Sequence, residues 1–350
     1  MSKGVFILVL GLLLSGCTSV GYYGQAVSGH MKVMRAARPI PELLQDPSTD
    51  PNLKEKLGNV TAIREFASRE LALPDNGSYR AYADLGRPFV VWDVFAAPEF
   101  SVEPEKWCMA IVGCVSYRGY FDRAEAERFV GELKKSGLDT HVGGVTAYST
   151  LGYFDDPVLN TFLRQGETET ARIIFHELAH QLSFAKGDTV FNESFAATVE
   201  NEGLRRWFAR SAKPQQHRDF MAQQQRRSQF VRLVETYRAK LRALYAAQQA
   251  PDDMRRAKAE IMAEMKLAYT DLKASWGGDG GYDQWFERGL NNAKIASLSL
   301  YTQWVPAFEA LLEQQGRDLP RFYRRVQQLA RLPKEERLSA LTGNKLGDAE

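Results

Sequence analysis

The spacing of apolar residues divides this chain into a mixed first half and a helical second half. Between 52 and 72, Leu53, Leu57, Val60, Ile63 and Ala67 recur every three or four positions, the period of a helix with one buried face. Pro74-Asp-Asn-Gly77 is a turn signal. Phe89-Val-Val-Trp-Asp-Val-Phe95 is dense in β-branched and aromatic residues and predicts a buried strand. Val115 to Phe121 predicts a second strand and His141 to Thr150 a third. Between these two, Asp122 can cap a helix that runs to Lys135 and stops at Gly137. Beyond Glu167 the pattern predicts helices near 167–185, 192–210, 213–248, 252–275, 282–298, 302–315 and 318–330, with a break at Gly277-Gly-Asp-Gly-Gly281. The expected fold class is α+β, predominantly α, with a small mixed sheet in the N-terminal half and a helical C-terminal half.

The ends change the picture. Val5 to Leu14 is an apolar run of ten residues after Lys3, too short to span a bilayer and suited to a secretory signal. It ends at Leu14-Ser-Gly-Cys17, which resembles the bacterial lipobox, whose cysteine is lipidated and becomes the mature N-terminus. The alternative is an ordinary signal peptide followed by a chance cysteine. Acyl chains on Cys17 would anchor the protein stably to a bacterial membrane. Thr18 after the cysteine, rather than Asp, points to the outer membrane, so the expected location is lipid-anchored in the periplasm. Tyr22 to Leu44 reads as a tether and amphipathic lead-in, stiffened by Pro39 and Pro41.

With Cys17 acylated, Cys108 and Cys114 remain, an even pair in an oxidising compartment. Either they form a disulfide closing a short loop, or they are buried reduced thiols. With no His or second Cys pair nearby, they do not read as a metal site. Apolar content of 44% and charged content of 25% describe a chain with enough core to fold. Net charge is +2, and +1 once Lys3 leaves with the signal, which makes no case for a nucleic-acid partner. The arginines of 205–242 alternate with Glu, Gln and apolar residues, as on a solvated helix face. Oligomeric state cannot be read from these features.

The chemistry concentrates in Phe175-His-Glu-Leu-Ala-His180 and Phe191-Asn-Glu-Ser-Phe-Ala196. On a helix, residues four apart lie about 40° apart on one face, so His176 and His180 can bind one metal ion. Glu177 is rotated about 100° from His176; it misses the ion but reaches a water beside it, as a general base requires. Acidic Glu167 and Glu169 suit the first turn of that helix. Glu193 supplies a third ligand candidate, leaving one position for water on a single zinc ion. Glu200, seven residues on, shares its face and is a candidate to orient a ligand or hold a substrate amine. Asp188 can play a similar supporting part, or can cap a helix after Gly187. Asp155 and Asp156 either turn the chain before Pro157 or bind a substrate amine. Tyr148, Tyr153 and Tyr301 are candidate donors to an oxyanion. His141 and His217 have no ligand partner at helical spacing.

His176-Glu-Leu-Ala-His-Gln181 and Asn192-Glu-Ser-Phe-Ala196 resemble the paired motifs of gluzincin aminopeptidases. That resemblance implies His176, His180 and Glu193 as zinc ligands and Glu177 as general base. The spacer between the motifs is shorter than in alanyl-type aminopeptidases, and their Gly-Ala-Met-Glu-Asn segment, which holds the substrate amine, is absent. The lipobox, Trp92 to Phe100, Gly113 to Phe121, Ala147-Tyr-Ser-Thr-Leu-Gly152 and the zinc motif together resemble a family of bacterial lipoproteins called predicted aminopeptidases, over nearly the whole mature chain. The resemblance implies a zincin-like catalytic domain acting on a peptide, with a strand at 145–152 pairing with the extended substrate. The expected organisation is a signal peptide at 1–16, a lipid-anchored tether at 17–51, an α+β catalytic region at 52–210, a helical region packed on the cleft at 211–340, and a frayed tail at 341–350. The expected activity is a zinc aminopeptidase; the alternatives are a periplasmic zinc endopeptidase and a non-enzymatic zinc-binding lipoprotein.

Overall fold

The computed structural model describes residues 21–109, 113–210, 214–247, 249–299 and 304–342. In chain order these form α1 (21–36), β1 (Ala37–Pro39), α2 (Ile40–Gln45), α3 (Pro51–Leu71), β2 (Ala81–Ala83), β3 (Val91–Pro98), β4 (Trp107–Met109), β5 (Gly113–Val115), β6 (Arg118–Tyr120), α4 (Arg123–Lys135), β7 (Leu138–Val145), β8 (Val158–Leu159) and α5 (Asn160–Leu163). There follow α6 (Glu167–Leu182), α7 (Thr189–Arg210), α8 (Pro214–Ala246), α9 (Pro251–Ser275), α10 (Asp283–Glu287), α11 (Asn292–Ser299), α12 (Val305–Gln314), α13 (Leu319–Ala330) and α14 (Lys334–Thr342). The fold is α+β and predominantly helical. Cys17 and Tyr301 lie outside the described residues.

Local chemistry explains most boundaries. The Asp50 side chain accepts from Leu53 N and Pro51 opens the first turn of α3, whose Leu57, Val60, Ile63 and Ala67 are fully buried. Asp122 accepts from the Ala124 and Glu125 amides at the start of α4, and Gly137, at φ 77°, ends it. The helix predicted over 282–298 is two helices, because the chain turns at Gly289 (φ 80°) and the Asn291 side chain caps α11 through Lys294 N. The helix α14 was not anticipated by the periodicity.

The third strand is also different. It spans Leu138–Val145, so 147–150 is not strand and does not offer a ladder to a peptide. There the backbone bonds are taken by local side chains: Thr150 N donates to Asp156 Oδ2 at 2.8 Å and Leu151 N to Ser149 Oγ at 3.1 Å. Leu151 (φ 57°) and Gly152 (φ 82°) then turn the chain away.

Strand β3 is central in an antiparallel sheet of order β6-β3-β7, while β1-β2-β8 forms a second small sheet. Strands β4 and β5 pair with Cys108 opposite Cys114, and the two are joined by a disulfide. Helices α6 and α7 pack on each other and on α3. Gly203 allows this approach: a Cβ there would meet the Phe175 ring at 2.6 Å and Leu71 Cδ1 at 2.9 Å. Phe175, Phe195, Phe308 and Phe322 are fully buried around this packing, each contributing about 1.5–3 kcal/mol by removal from water. Several arginines of 205–242 are partnered rather than simply solvated. Arg205 and Arg206 pair with the fully buried Glu202 carboxylate, and buried Arg238 reaches Glu103 and the Val102 carbonyl.

Candidate metal centre

Helix α6 starts after Gly166, with Glu167 and Glu169 in its first turn, and carries His176, Glu177 and His180. Helix α7 carries Glu193 and Glu200. It starts where it does because Asn192 holds the preceding loop, its side chain accepting from Ala185 N at 2.7 Å and donating to Ala185 O at 2.9 Å. Against this frame one donor atom each from His176, His180 and Glu193 lie within 4.8 Å of one another.

The distances suit a small tetrahedral cation. His180 Nε2 is 3.2 Å from His176 Nε2, which is 3.3 Å from Glu193 Oε2; His180 Nε2 is 3.6 Å from Glu193 Oε1. Donors about 2.0–2.1 Å from a tetrahedral zinc ion stand roughly 3.3–3.4 Å apart. The electrostatics agree. Burial disfavours charge on His176, but hydrogen bonds to Glu193 and Glu200 outweigh it and raise its pKa to about 10. Two carboxylates thus hold one positive charge here, which a metal ion can supply in place of the proton. Burial pushes His180 down to about 4, leaving a neutral imidazole with a lone pair to give.

Glu200 is 2% exposed and its Oε2 lies 2.8 Å from His176 Nδ1, leaving Nε2 to face the other donors. Of the two roles open in the sequence, the structure shows contact with a ligand candidate. Arg172 anchors Glu200 at 2.9 Å and is itself held by Glu169 at 2.6 and 2.8 Å. Burial would raise the Glu200 carboxyl, but the Arg172 charge and the His176 hydrogen bond bring it down to about 2. Glu200→Gln is therefore expected to weaken metal affinity about 10- to 100-fold, as loss of a carboxylate behind a histidine ligand does. Competition with a chelating dye measures this, and unchanged affinity would remove Glu200 from the support of the site.

Glu177 shares the helix but not the donor cluster. Burial, with the charges of Glu193 and Asp156, pushes its carboxyl up to about 7 against the opposing pull of His176. A carboxylate poised there can take and return a proton near neutral pH.

The remaining predicted residues are dispersed. Asp188 caps α7 through Phe191 N and bonds buried Arg337 at 2.5 Å, and neither bond reaches the donor cluster. Asp155 is exposed, its carboxylate lying over Gly77. The Tyr148 hydroxyl is 2.8 Å from His30 Nδ1, and Tyr153 is 75% exposed. His141 is stacked on Phe95 in the sheet. Asp156 is buried: its Oδ2 accepts from Thr150 N and Oγ1, and Oδ1 has no partner among the described residues.

Three further groups escaped the sequence reading. Tyr79 is buried with φ 62°, and burial, Glu177 and Asp156 raise its hydroxyl pKa well above the usual range. Tyr117, on the β6 side of the sheet, is raised likewise by burial and by Asp93, Glu193 and Glu177. Asp93 is a buried carboxylate on β3, where the signal was visible as one charge inside Phe89-Val-Val-Trp-Asp-Val-Phe95.

His176, His180 and Glu193 could hold a metal ion, and the half-buried Glu177 carboxylate lies on the same helix as the two histidines. The chain belongs to the family described as "Putative aminopeptidase", whose model matches residues 21–341. No curated protein and no solved structure matches it.

Proposed function

We propose that this protein is a zinc metallopeptidase of gluzincin type that removes residues from peptide N-termini. The observation that carries this is the separation of roles on α6 and α7: three donors at tetrahedral spacing, and Glu177 beside them but outside the set. Membership of an aminopeptidase family supports the peptide as substrate. His176, His180 and Glu193 would hold the ion, with Glu200 fixing the His176 ring. Bound there, zinc would supply a Lewis acid for the scissile carbonyl and for acidifying a water molecule.

Glu177 accepts the proton of the attacking water and passes it to the departing amine. Tyr117 is the phenol suited to donate to the developing oxyanion: its raised pKa keeps it protonated, and it feels both Glu177 and Glu193. Acylation of Cys17, after Leu14-Ser-Gly, belongs to the same proposal and tethers the enzyme to the bacterial outer membrane from the periplasmic side.

The test is cleavage of trialanine and N-acetyl-trialanine by protein assayed for zinc. Release of alanine from the free peptide, with the blocked one spared, is the expected result. Internal cleavage of both at similar rates would make the enzyme an endopeptidase; cleavage of neither by zinc-loaded protein would remove the enzymatic reading.

A further inference from the structure

We propose that Asp93 is the carboxylate that receives the substrate's free α-ammonium group and so restricts the site to peptide N-termini. This rests on the aminopeptidase reading and adds to it the group that recognises the amine.

Asp93 sits in the middle of β3 among buried Val91, Val94, Phe95, Ala96 and Ala97, and is itself 6% exposed. Its register partners are Gly119 on β6 and Gly143 on β7, so the residues directly opposite offer it no side chain. The approach is close: a Cβ at Gly119 would lie 3.1 Å from Asp93 Oδ1. Among the described residues the carboxylate has no hydrogen-bond or ion-pair partner, although a buried unpaired charge costs several kcal/mol. Such a group reads as one half of an ion pair.

The other half must come from the metal side. Strand alternation puts Asp93 on the same face as Val91 and Phe95. The cluster of Phe95, Ala97 and Ala293 is packed by Tyr117 and by Val190, which lies in the first turn of α7, three residues before Glu193. Burial and the charge of Glu193 push the Asp93 carboxyl up to about 7, in keeping with that placement. In a peptide's first residue the amine is separated from the scissile carbonyl carbon by a single α-carbon. The carboxylate that takes the amine must therefore lie near the metal donors without being one of them; Asp93 is not among the three donors and lies on the sheet face that α7 meets through Val190. Asp156 is the other buried carboxylate with an unpartnered oxygen, but its second oxygen is committed to Thr150 and holds the 150–156 turn. A lysine side chain carries the same ammonium chemistry as an N-terminus, so the test includes one.

The experiment measures kcat and KM of zinc-loaded wild type, Asp93→Asn and Asp156→Asn on trialanine, N-acetyl-trialanine and N-acetyl-Lys-Ala-Ala. Asp93→Asn is expected to lose about 10- to 100-fold in kcat/KM on trialanine, mostly as a higher KM, through the lost charge-assisted bond. Its residual rates on both acetylated peptides should stay at the low wild-type level, so the preference for a free terminus shrinks by the same factor. In the Glu177→Gln background, calorimetry with trialanine should show the same loss of affinity on adding Asp93→Asn. Zinc content should not change, and the melting temperature should hold or rise, because a buried unpaired charge is removed.

Asp93→Ser, which removes the charge in a smaller volume, should repeat the kinetic result. A melting temperature well below wild type in both variants would mark Asp93 as structural and overturn the assignment. Retained preference for trialanine in Asp93→Asn overturns it too, as does a collapse of that preference only in Asp156→Asn. So does wild-type cleavage of N-acetyl-Lys-Ala-Ala that is lost in Asp93→Asn, which would assign Asp93 to a lysine side chain. If wild type shows no preference for a free terminus, the aminopeptidase reading fails together with this proposal. If wild type shows the preference and Asp93→Asn keeps it, only the role of Asp93 fails.

Discussion

Glu177→Gln is expected to lower kcat on a free-terminus peptide about 10²- to 10⁴-fold, with zinc content and fold unchanged. The substitution keeps the shape of the side chain but removes its ability to accept a proton. Because Glu177 lies outside the three-donor cluster, losing its charge should not release the ion. Burial, reinforced by Glu193 and Asp156, places its carboxyl at about 7 rather than in the usual carboxylate range, which favours returning the proton to the leaving amine. Kinetics paired with metal analysis of the same preparation decide the matter. Full activity in zinc-loaded Glu177→Gln would require another base and sink the mechanism.

Glu193→Ala should do the opposite in one respect: activity falls because the metal is lost. It removes the only donor contributed by α7 and leaves two imidazoles, one of them already paired with Glu200. After dialysis the variant is expected to hold no stoichiometric zinc and to have no measurable peptidase activity. Chelation of the wild type should reproduce the loss of activity and lower the melting temperature, since an ion at 100 times its Kd contributes about 2.7 kcal/mol of stability. Added zinc should restore wild type and not the variant. A variant that binds zinc as tightly as wild type would show that these three residues do not form the site.

The parts of this molecule that were legible in the chain are those set by short-range periodicity and capping. The run Leu57, Val60, Ile63, Ala67 and the Asp122 cap each act within a few residues, and the structure shows the corresponding helices almost where the spacing puts them. His176 and His180 share a face because they are one helical turn apart, and Glu193 and Glu200 because they are two. The strand beyond Val145 was misjudged for a local reason of another kind: Ser149, Thr150 and Asp156 offered the backbone partners that a ladder would otherwise have supplied.

Long-range placement was out of reach. The spacing of Glu200 left open whether it turns a ligand or meets a substrate, and the packing of α6 on α7 brings it to His176 Nδ1. Asp188 was indistinguishable from a supporting group of the site until Arg337, 149 residues away in sequence, was seen to hold it. The lone charge inside β3 was visible, but not the two glycines that flank it, because the register of β6 and β7 against β3 is set by contacts between distant segments. The residue types and their helical phase are thus encoded locally, enough to name candidates for a metal-binding pair, a third donor and a base. Which side chains complete the pocket around them depends on how helix and sheet close on each other, where each contact joins parts of the chain that carry no periodic relation to one another.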